Sequence, residues 1–303
     1  IDTYDICASV CVMIHKKRTP RVHLPTNETD WAPGHTLAVE KNRGAYPWKS
    51  ADNGNLVEVV IPTIVCADLL PYTIELIRLQ TGVVRPYIVI IDTGSPPEEQ
   101  KKIEALRAPD VEVHLLTSRG YRHASDPVAV ALDLALSLCR TEKQVTTHAD
   151  CFLLRRDALS DLVERVNPDN PVVGYQISPR PGVKDWERMI GHTWSAFDVA
   201  SIRKRGITWG YGASVDTGTS ALRGRWDTEY GFMRQCWREG IEPDLMGTEE
   251  NFERNISEDF DHIRSLPSAR LYDNKHLAKA EGWVDLAISD AKERIESWKN
   301  STT

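Results

Sequence analysis

Four apolar runs of strand length follow one another in the first half of the chain, at residues 57–64, 87–92, 111–117 and 144–147. The first of them is nearly continuous in Val and Ile, as expected of a strand that is buried on both faces of a sheet. Short runs of this kind, separated by turn residues, predict four successive strands.

Helical periodicity fills the stretches between these runs. We predict helices over residues 68–80, from residue 96, over 126–140 and over 157–166, with the aspartate at the start of the first as its cap and Gly82 as its stop. Proline and acidic residues at the start of the second helix suit a first helical turn. The order β-α-β-α-β-α-β predicts an α/β protein whose mostly parallel sheet is covered by helices.

The pattern changes in the second half of the chain. One more strand is predicted at residues 172–177, whereas residues 178–226 are rich in Gly, Trp, Arg and Ser and show little periodicity. Helices are predicted again over 227–240 and 285–298. Residues 1–55 are irregular and contain several aromatic residues, so we expect an N-terminal extension that packs on the core.

Composition and charge exclude several classes of protein. Of the 303 residues, 41% are hydrophobic and 27% charged, as in ordinary globular proteins. The net charge of −7 argues against a general polyanion-binding surface, so no nucleic-acid partner is expected. There is no apolar run of about 18 residues, so no transmembrane segment is expected. We expect a cytoplasmic location, with a secretory origin left open, and reduced thiols at the six cysteines.

His148 and Asp150 directly follow the fourth predicted strand. Residues at i and i+2 on a strand end point the same way, and ligands of open α/β sheets lie at the carboxyl ends of the strands. A hard divalent cation takes oxygen or imidazole ligands and often keeps substrate phosphates as its remaining ligands. The pattern predicts a cation that holds the diphosphate of a nucleotide sugar. The alternative is a satisfied histidine and an aspartate that caps a turn.

Two further strand ends complete this pattern. The first strand ends in Val60-Ile61-Pro62-Thr63 and the second in Ile91-Asp92-Thr93-Gly94-Ser95. Together with His148-Ala149-Asp150, these segments resemble the GT-A glycosyltransferases, especially the family 2-like group and the polypeptide N-acetylgalactosaminyltransferases, over about residues 56–265. His148 departs from the D-x-D metal motif of that fold, which places metal dependence in question more than the fold.

The resemblance implies a fold and a reaction. The fold is a GT-A, Rossmann-like α/β architecture with an N-terminal extension (1–55), a nucleotide-sugar-binding half (56–160) and an acceptor-binding half that ends in a C-terminal helix (161–303). The reaction is the metal-dependent transfer of a sugar from a UDP- or GDP-sugar to the hydroxyl of a saccharide or other acceptor, with Mn²⁺ or Mg²⁺ as the cofactor.

The resemblance also implies residues for the donor. Asp92 is expected to contact the base or ribose, although Asp, Gly and Ser favour turns by themselves. Arg119 and Arg122 follow the third strand, and their guanidinium groups suit a diphosphate because they offer fixed bidentate donors. The expected donor-binding residues are Pro62, Thr63, Asp92, Arg119, Arg122 and Asp150.

A late histidine and an acidic pair complete the expected site. His262 lies in a segment that resembles the late His segment of GT-A enzymes, and it would be the third metal ligand beside His148 and Asp150; imidazole suits Mn²⁺. Its alternative is an ordinary surface histidine. Glu229, and second Asp227, resemble the acidic residues that supply the general base in inverting members. Their alternative is a solvated first turn of a helix.

Other classes of protein remain open to different degrees. A catalytically inactive sugar-nucleotide-binding or scaffold protein is the main alternative, because the first aspartate of the metal motif is absent. A nucleotidyltransferase usually has a Gly-rich basic loop after the first strand, and residues 62–69 lack one. No G-x-G-x-x-G follows a strand, which disfavours a dinucleotide-binding oxidoreductase. The sugar, the acceptor and the stereochemical outcome are left open, because one fold hosts many activities.

Overall fold

The computed structural model describes residues 55–82, 84–116, 126–177, 188–209, 228–248, 255–263, 266–267, 270 and 274–301. The predicted N-terminal extension lies outside them apart from its last residue. Ten strands are described: β1 Leu56–Thr63, β2 Arg85–Asp92, β3 Val111–Leu115, β4 Lys143–Thr146, β5 Cys151–Leu153, β6 Val172–Gln176, β7 Ile190–Asp198, β8 Asp244–Thr248, β9 Asn255–Ile256 and β10 Phe260–His262. The described helices are α1 Leu70–Arg78, α2 Pro97–Glu104, α3 Asp126–Leu138, α4 Ala158–Glu164, α5 Val199–Lys204, α6 Thr228–Arg238 and α7 Asn274–Asn300.

Seven of the strands form one sheet, in the order β3-β2-β1-β4-β7-β6-β8. β1 pairs in parallel with β2 and β4, β2 with β3, and β6 with β8. Only β7 runs the other way, antiparallel to both β4 and β6. The predicted α/β class, with a mostly parallel sheet flanked by helices, is confirmed.

The core lies where the apolar runs of the sequence meet. Every residue of β1 after Leu56 is buried, and so are the last six residues of β2. Helix α3 contacts β1 and β2, while α7 packs on α1. The strands therefore form where the sequence is apolar on both faces, because both faces of the sheet are covered.

Strand β7 and helix α5 correct the sequence interpretation, which found little periodicity over 178–226. All nine residues of β7 are buried, including polar ones. The polar side chains are tolerated because they find partners inside the protein: Ser195 Oγ lies 2.8 Å from Thr146 Oγ1 on the neighbouring strand. A strand that buries Ser, Thr and His does not show the apolar pattern of a core strand.

Helix boundaries also differ from the predictions. Asp68 does not cap α1, which has Leu69 at the N-cap position and no side-chain cap. Instead, both carboxylate oxygens of Asp68 bind the guanidinium of Arg270, at 2.7 and 2.8 Å. The helix ends at Arg78, four residues before the predicted stop at Gly82. Helix α7 is longer than the predicted segment 285–298 and begins at Asn274.

Two further findings concern the helices and the cysteines of the described part of the chain. None of its helices combines the length and the apolar composition that crossing a membrane requires. No disulfide joins the four described cysteines, which are buried, in agreement with the predicted reduced thiols: Cys66, Cys139, Cys151 and Cys236. Burial raises the pKa of Cys139 and of Cys236 to about 12, so both thiols stay protonated at neutral pH.

Candidate functional site

Most of the predicted site residues that the structure describes lie at one edge of the seven-stranded sheet. β1, β2 and β4 are parallel, so their carboxyl ends meet there. β7 is antiparallel to β4, with Ser195 opposite Thr146, so its first residues extend past the same edge. This edge is where an open α/β sheet offers room for ligands.

The turn that carries His148 and Asp150 is fixed by its neighbours. Thr73 Oγ1 of helix α1 donates a hydrogen bond to the Ala149 carbonyl at 2.6 Å. The Ile263 amide donates to the Asp150 carbonyl at 3.0 Å. The backbone between the two candidate ligands is therefore held from both sides, which limits how far their side chains can move.

A second, three-stranded sheet brings His262 to the same place. In this sheet β10 lies between β5 and β9 and is antiparallel to both. His262 pairs with Cys151, the residue next to Asp150. The sequence interpretation did not predict β5, β9 or β10, since strands of two or three residues are too short for a periodic signal.

His148, Asp150 and His262 form a close group of three donor atoms, which we call the His-Asp-His cluster. His148 Nδ1 lies 3.1 Å from His262 Nε2 and 3.9 Å from Asp150 Oδ1, and His262 Nε2 lies 3.5 Å from that oxygen. The cluster is largely buried, with the three side chains 17%, 3% and 6% exposed in the order His148, Asp150, His262. The structure thus brings the three predicted metal ligands together.

The cluster has the spacing and chemistry that a divalent cation requires. Ligands about 2.1 Å from one ion are about 3.0–3.5 Å apart at octahedral or tetrahedral angles, close to the separations found here. Asp150 Oδ2, His148 Nε2 and His262 Nδ1 are buried and have no hydrogen-bond partner among the described residues. The cation would bind the other nitrogen of each ring, Nδ1 of His148 and Nε2 of His262, so the spacing and the donor types are what indicate a cation here.

The protonation of His148 also suits a metal ligand. Burial, and then the charges of the neighbouring imidazoles His192 and His262, lower the pKa of His148 well below its usual value. The ring is therefore neutral at physiological pH. A neutral imidazole is the form that binds a metal, so no proton has to be displaced from His148.

Asp92 stabilises the turn after β2 through hydrogen bonds to its carboxylate. Its carboxylate is fully buried and accepts hydrogen bonds from the Gly94 amide at 3.2 Å, the Ser95 amide at 3.0 Å and Gln100 Nε2 at 2.7 Å, as well as from Ser95 Oγ. Gly94 has a φ of 116°, in the region that favours glycine. Asp92 therefore shapes this turn, and its predicted contact with a base or ribose stays a prediction.

The end of β1 lies beside the turn after β2. The Thr63 carbonyl accepts a hydrogen bond from the Thr93 amide at 3.0 Å. Thr63 Oγ1 is buried without a hydrogen-bond partner within the described ranges, and Pro62 precedes it in the same strand. Pro62 and Thr63 are therefore at the edge where the donor is predicted, and their contact with it stays a prediction.

Glu229 lies in the first turn of α6, as predicted, but it is not solvated. Its side chain is 9% exposed, and Oε1 lies 2.5 Å from Nδ1 of His192, a side chain that is also 9% exposed. The ring of His192 is in turn 4.4 Å from that of His148, centroid to centroid. Sequence reasoning missed His192 because it lies on the unpredicted strand β7, where a lone histidine between Gly191 and Thr193 gives no local signal.

Three predicted site residues, Arg119, Arg122 and Asp227, lie outside the described residues. Their assignments to the diphosphate and to the acceptor stay predictions.

The sequence matches no protein-family model and, at a significant level, no curated protein. Among solved structures, the chain is similar to a mannosyltransferase from Pyrobaculum calidifontis in complex with GDP-Man and Mn²⁺, with 15% identity and a TM-score of 0.43 over 97% of this chain and 86% of that one. It is also similar to TarS of S. aureus in complex with UDP-GlcNAc, with 16% identity and a TM-score of 0.38 over 50% of this chain and 48% of that one. A third is the galactosyltransferase LgtC with donor and acceptor sugar analogs, at 13% identity and 0.37 over 49% and 59%. Because the sequence identities and TM-scores are this low, the function has to be argued from the residues of the site.

Proposed function

We propose that the protein transfers a sugar from a nucleoside-diphosphate sugar to an acceptor hydroxyl, with a divalent cation held by the His-Asp-His cluster. The observation that carries the proposal is the convergence of His148, Asp150 and His262. Two of these ligands are 114 residues apart in the chain, yet their nitrogens lie 3.1 Å apart at the ligand-binding edge of the sheet. The resemblance of the strand-end segments to GT-A enzymes supplies the class of reaction.

The donor set favours one kind of cation. Two imidazoles and one carboxylate suit Mn²⁺, whereas Ca²⁺ prefers a shell of oxygens. Bound there, Mn²⁺ or Mg²⁺ supplies positive charge that stabilises the leaving diphosphate. The protein contributes the fixed turn between His148 and Asp150, so that the ligands need little rearrangement.

The donor is assigned to the strand ends beside the cluster. Pro62 and Thr63 at the end of β1, together with the turn that Asp92 holds, are proposed to bind the nucleoside. Arg119 and Arg122 are proposed to bind the diphosphate. Because the Asp92 carboxylate accepts four hydrogen bonds within its own turn, we expect it to act on the nucleoside chiefly by fixing that turn.

The acceptor is assigned to the side of helix α6. Glu229, or failing it Asp227, is proposed as the carboxylate that receives the proton of the acceptor hydroxyl as the bond to the sugar forms. The amino-terminal end of a helix stabilises negative charge, so an ionised carboxylate is favoured in this turn.

Calorimetric titration of the protein with UDP and GDP, each with and without Mn²⁺, tests the proposal. We expect Mn²⁺ to strengthen binding of at least one diphosphate, and Asp150→Ala to weaken it by at least about 10-fold, since removing even an outer-shell partner of a metal ligand costs that much. Asp110→Ala, in an ion pair with Arg78 away from the cluster, is the matched control. Equal binding with and without Mn²⁺ would contradict the proposal.

Hydrolysis of the donor separates the enzyme from an inactive binding protein. In the absence of an acceptor, a glycosyltransferase is expected to hydrolyse its UDP- or GDP-sugar slowly and in a metal-dependent way. Metal-dependent binding without any hydrolysis or transfer would favour the sugar-nucleotide-binding scaffold.

A further inference from the structure

Glu229 and His192 form a buried pair that joins two elements of the fold. Glu229 comes from the first turn of α6 and His192 from β7, and their Oε1 and Nδ1 atoms are 2.5 Å apart. Both side chains are 9% exposed. This short contact offsets part of the cost of removing a carboxylate and an imidazole from water. We call these two residues the Glu-His pair.

The Glu-His pair contacts the His-Asp-His cluster through the ring of His192. The imidazole of His192 lies 4.4 Å from that of His148, with the ring planes inclined by 48°. The ring of His148 also lies 4.9 Å from that of His262, centroid to centroid, in an edge-to-face arrangement. The ring of His148 therefore contacts both a second candidate ligand and the Glu-His pair.

An aromatic cluster keeps the two elements of the pair in place. Trp209 stacks on Phe232 of α6, with centroids 4.1 Å apart and planes inclined by 15°. It also contacts Phe197 of β7 edge to face at 5.2 Å, and the ring of His192 at 6.1 Å. Strand β7 and helix α6 thus share a packed core, so the side chains that they carry have little freedom to separate.

Within the described part of the chain, Nε2 of His148 makes none of the hydrogen bonds that usually fix a metal ligand. A ligating histidine normally donates its second ring nitrogen to a carboxylate, a carbonyl or water, and that hydrogen bond sets the plane of the ring. Here the second nitrogen of His148, Nε2, is buried and has no hydrogen-bond partner among the described residues. Among the described residues, packing therefore orients the ring, and the ring of His192 is one of the contacts that supply it.

We propose that His192 and Glu229 are positioning residues for the metal ligand His148: Glu229 holds the imidazole of His192, and that ring keeps Nδ1 of His148 directed at Asp150 and His262. The inference rests on the proposed function, because it assigns the pair to the cation site of that reaction. It links helix α6, on the acceptor side, to the cation on the donor side. A change at Glu229 is then expected to alter cation affinity as well as any proton transfer.

The measurement is the affinity of the full chain for Mn²⁺ alone, from the electron paramagnetic resonance signal of the free ion, without nucleotide or sugar. We expect His192→Ala to lower the affinity by about 10- to 100-fold, the range found for residues that orient metal ligands. His192→Phe keeps a ring against His148 and is expected to lose less. Glu229→Leu no longer holds His192, so its Mn²⁺ affinity is expected to lie between those of His192→Ala and His192→Phe.

His114→Ala is the matched control. His114 and Glu112 form a second buried imidazole–carboxylate pair, 2.8 Å apart, on β3. His114→Ala removes a buried imidazole–carboxylate contact that is not part of the His-Asp-His cluster. The Mn²⁺ affinity of this variant is therefore expected to stay at the native value. Melting temperatures recorded without metal identify any variant that fails to fold. If His192→Ala does not fold, the Mn²⁺ affinities of His192→Phe and Glu229→Leu are compared with that of the native chain to test the inference.

The outcomes separate this inference from the proposed function. Native affinity for Mn²⁺ in all folded His192 and Glu229 variants would overturn the inference and leave the cation site standing. A folded Glu229→Leu variant that lost transfer but bound Mn²⁺ as the native chain does would show that Glu229 acts on the proton alone, again against the inference. A native chain that binds no Mn²⁺ would remove both the proposed function and the inference.

Discussion

Glu58 is a carboxyl group buried within the sheet. It lies on β1 with 5% of its surface exposed, and Gln144 Nε2 donates a hydrogen bond to Oε1 at 2.9 Å. Burial raises the pKa of Glu58 from 4.5 to about 7; the charge of Glu112 acts in the same direction, and the bond from Gln144 acts against it. A buried acid of this kind makes the stability of the protein depend on pH.

The sign of that dependence follows from the raised pKa. Between about pH 4.5 and 7 the native state keeps a proton that the unfolded chain releases, so the free energy of unfolding falls as the pH rises. The full effect is about 3 kcal/mol for a shift of this size. Glu58→Gln removes the group that titrates, so the variant is expected to gain stability relative to the native protein between pH 4.5 and 8. Urea unfolding at several pH values measures this; a difference independent of pH would contradict it.

At the level of single residues, the sequence predicted part of the candidate site. His148 and Asp150 could be found because they directly follow an apolar strand, and position after a strand is a local property. His262 was reached only through the resemblance, since its approach to Asp150 depends on the pairing of β5 with β10. His192 was missed, because a buried histidine contacting Glu229 across the fold leaves no local pattern.

Among the elements, strands β6 and β7 approach each other very closely at Gly174. A Cβ atom on Gly174 would lie 2.7 Å from Ser195 Cβ and 3.2 Å from the Trp194 carbonyl oxygen. The second of these is a backbone atom, so the strands themselves would have to shift. The glycine is therefore a packing requirement on β6, which lies between β7 and β8 in the sheet.

Gly174→Ala is expected to destabilise the protein by about 1–3 kcal/mol, as overpacking of a core does. Gly282→Ala is the control, because a Cβ at that exposed position in helix α7 would meet nothing within 4 Å. This second change is expected to stabilise the helix by about 0.5–1 kcal/mol. Chemical denaturation of both variants measures the two effects. A Gly174→Ala protein as stable as the native one would show that the strands are not packed as described.

The elements that the sequence predicted are those with a strong local signal. β1 to β4 and β6 follow apolar runs, and α1 to α4 follow helical periodicity, with errors of a few residues at their ends. β7 was hidden by its buried polar residues. The order of the strands, with β7 inserted between β4 and β6, could not be derived at all, because strand pairing depends on contacts distant in the chain.

For the molecule as a whole, the candidate function depends on how the sheet gathers distant segments. The ends of β1, β2 and β4 meet the beginning of β7 at one edge, and β10 adds His262 from the smaller sheet. A cation at this edge would join segments that are separate in the sequence. Because ligand binding stabilises only the folded state, Mn²⁺ is also expected to raise the melting temperature, and EDTA to reverse the gain.

The central claim is that the His-Asp-His cluster holds the cation that binds a nucleoside diphosphate. Crystals grown with Mn²⁺ and UDP or GDP, measured at an X-ray energy where manganese scatters anomalously, test it most directly. We expect one strong anomalous peak about 2.1 Å from His148 Nδ1, Asp150 Oδ1 and His262 Nε2, next to the diphosphate. A diphosphate bound at this edge of the sheet, with no anomalous peak at the cluster, would contradict the claim.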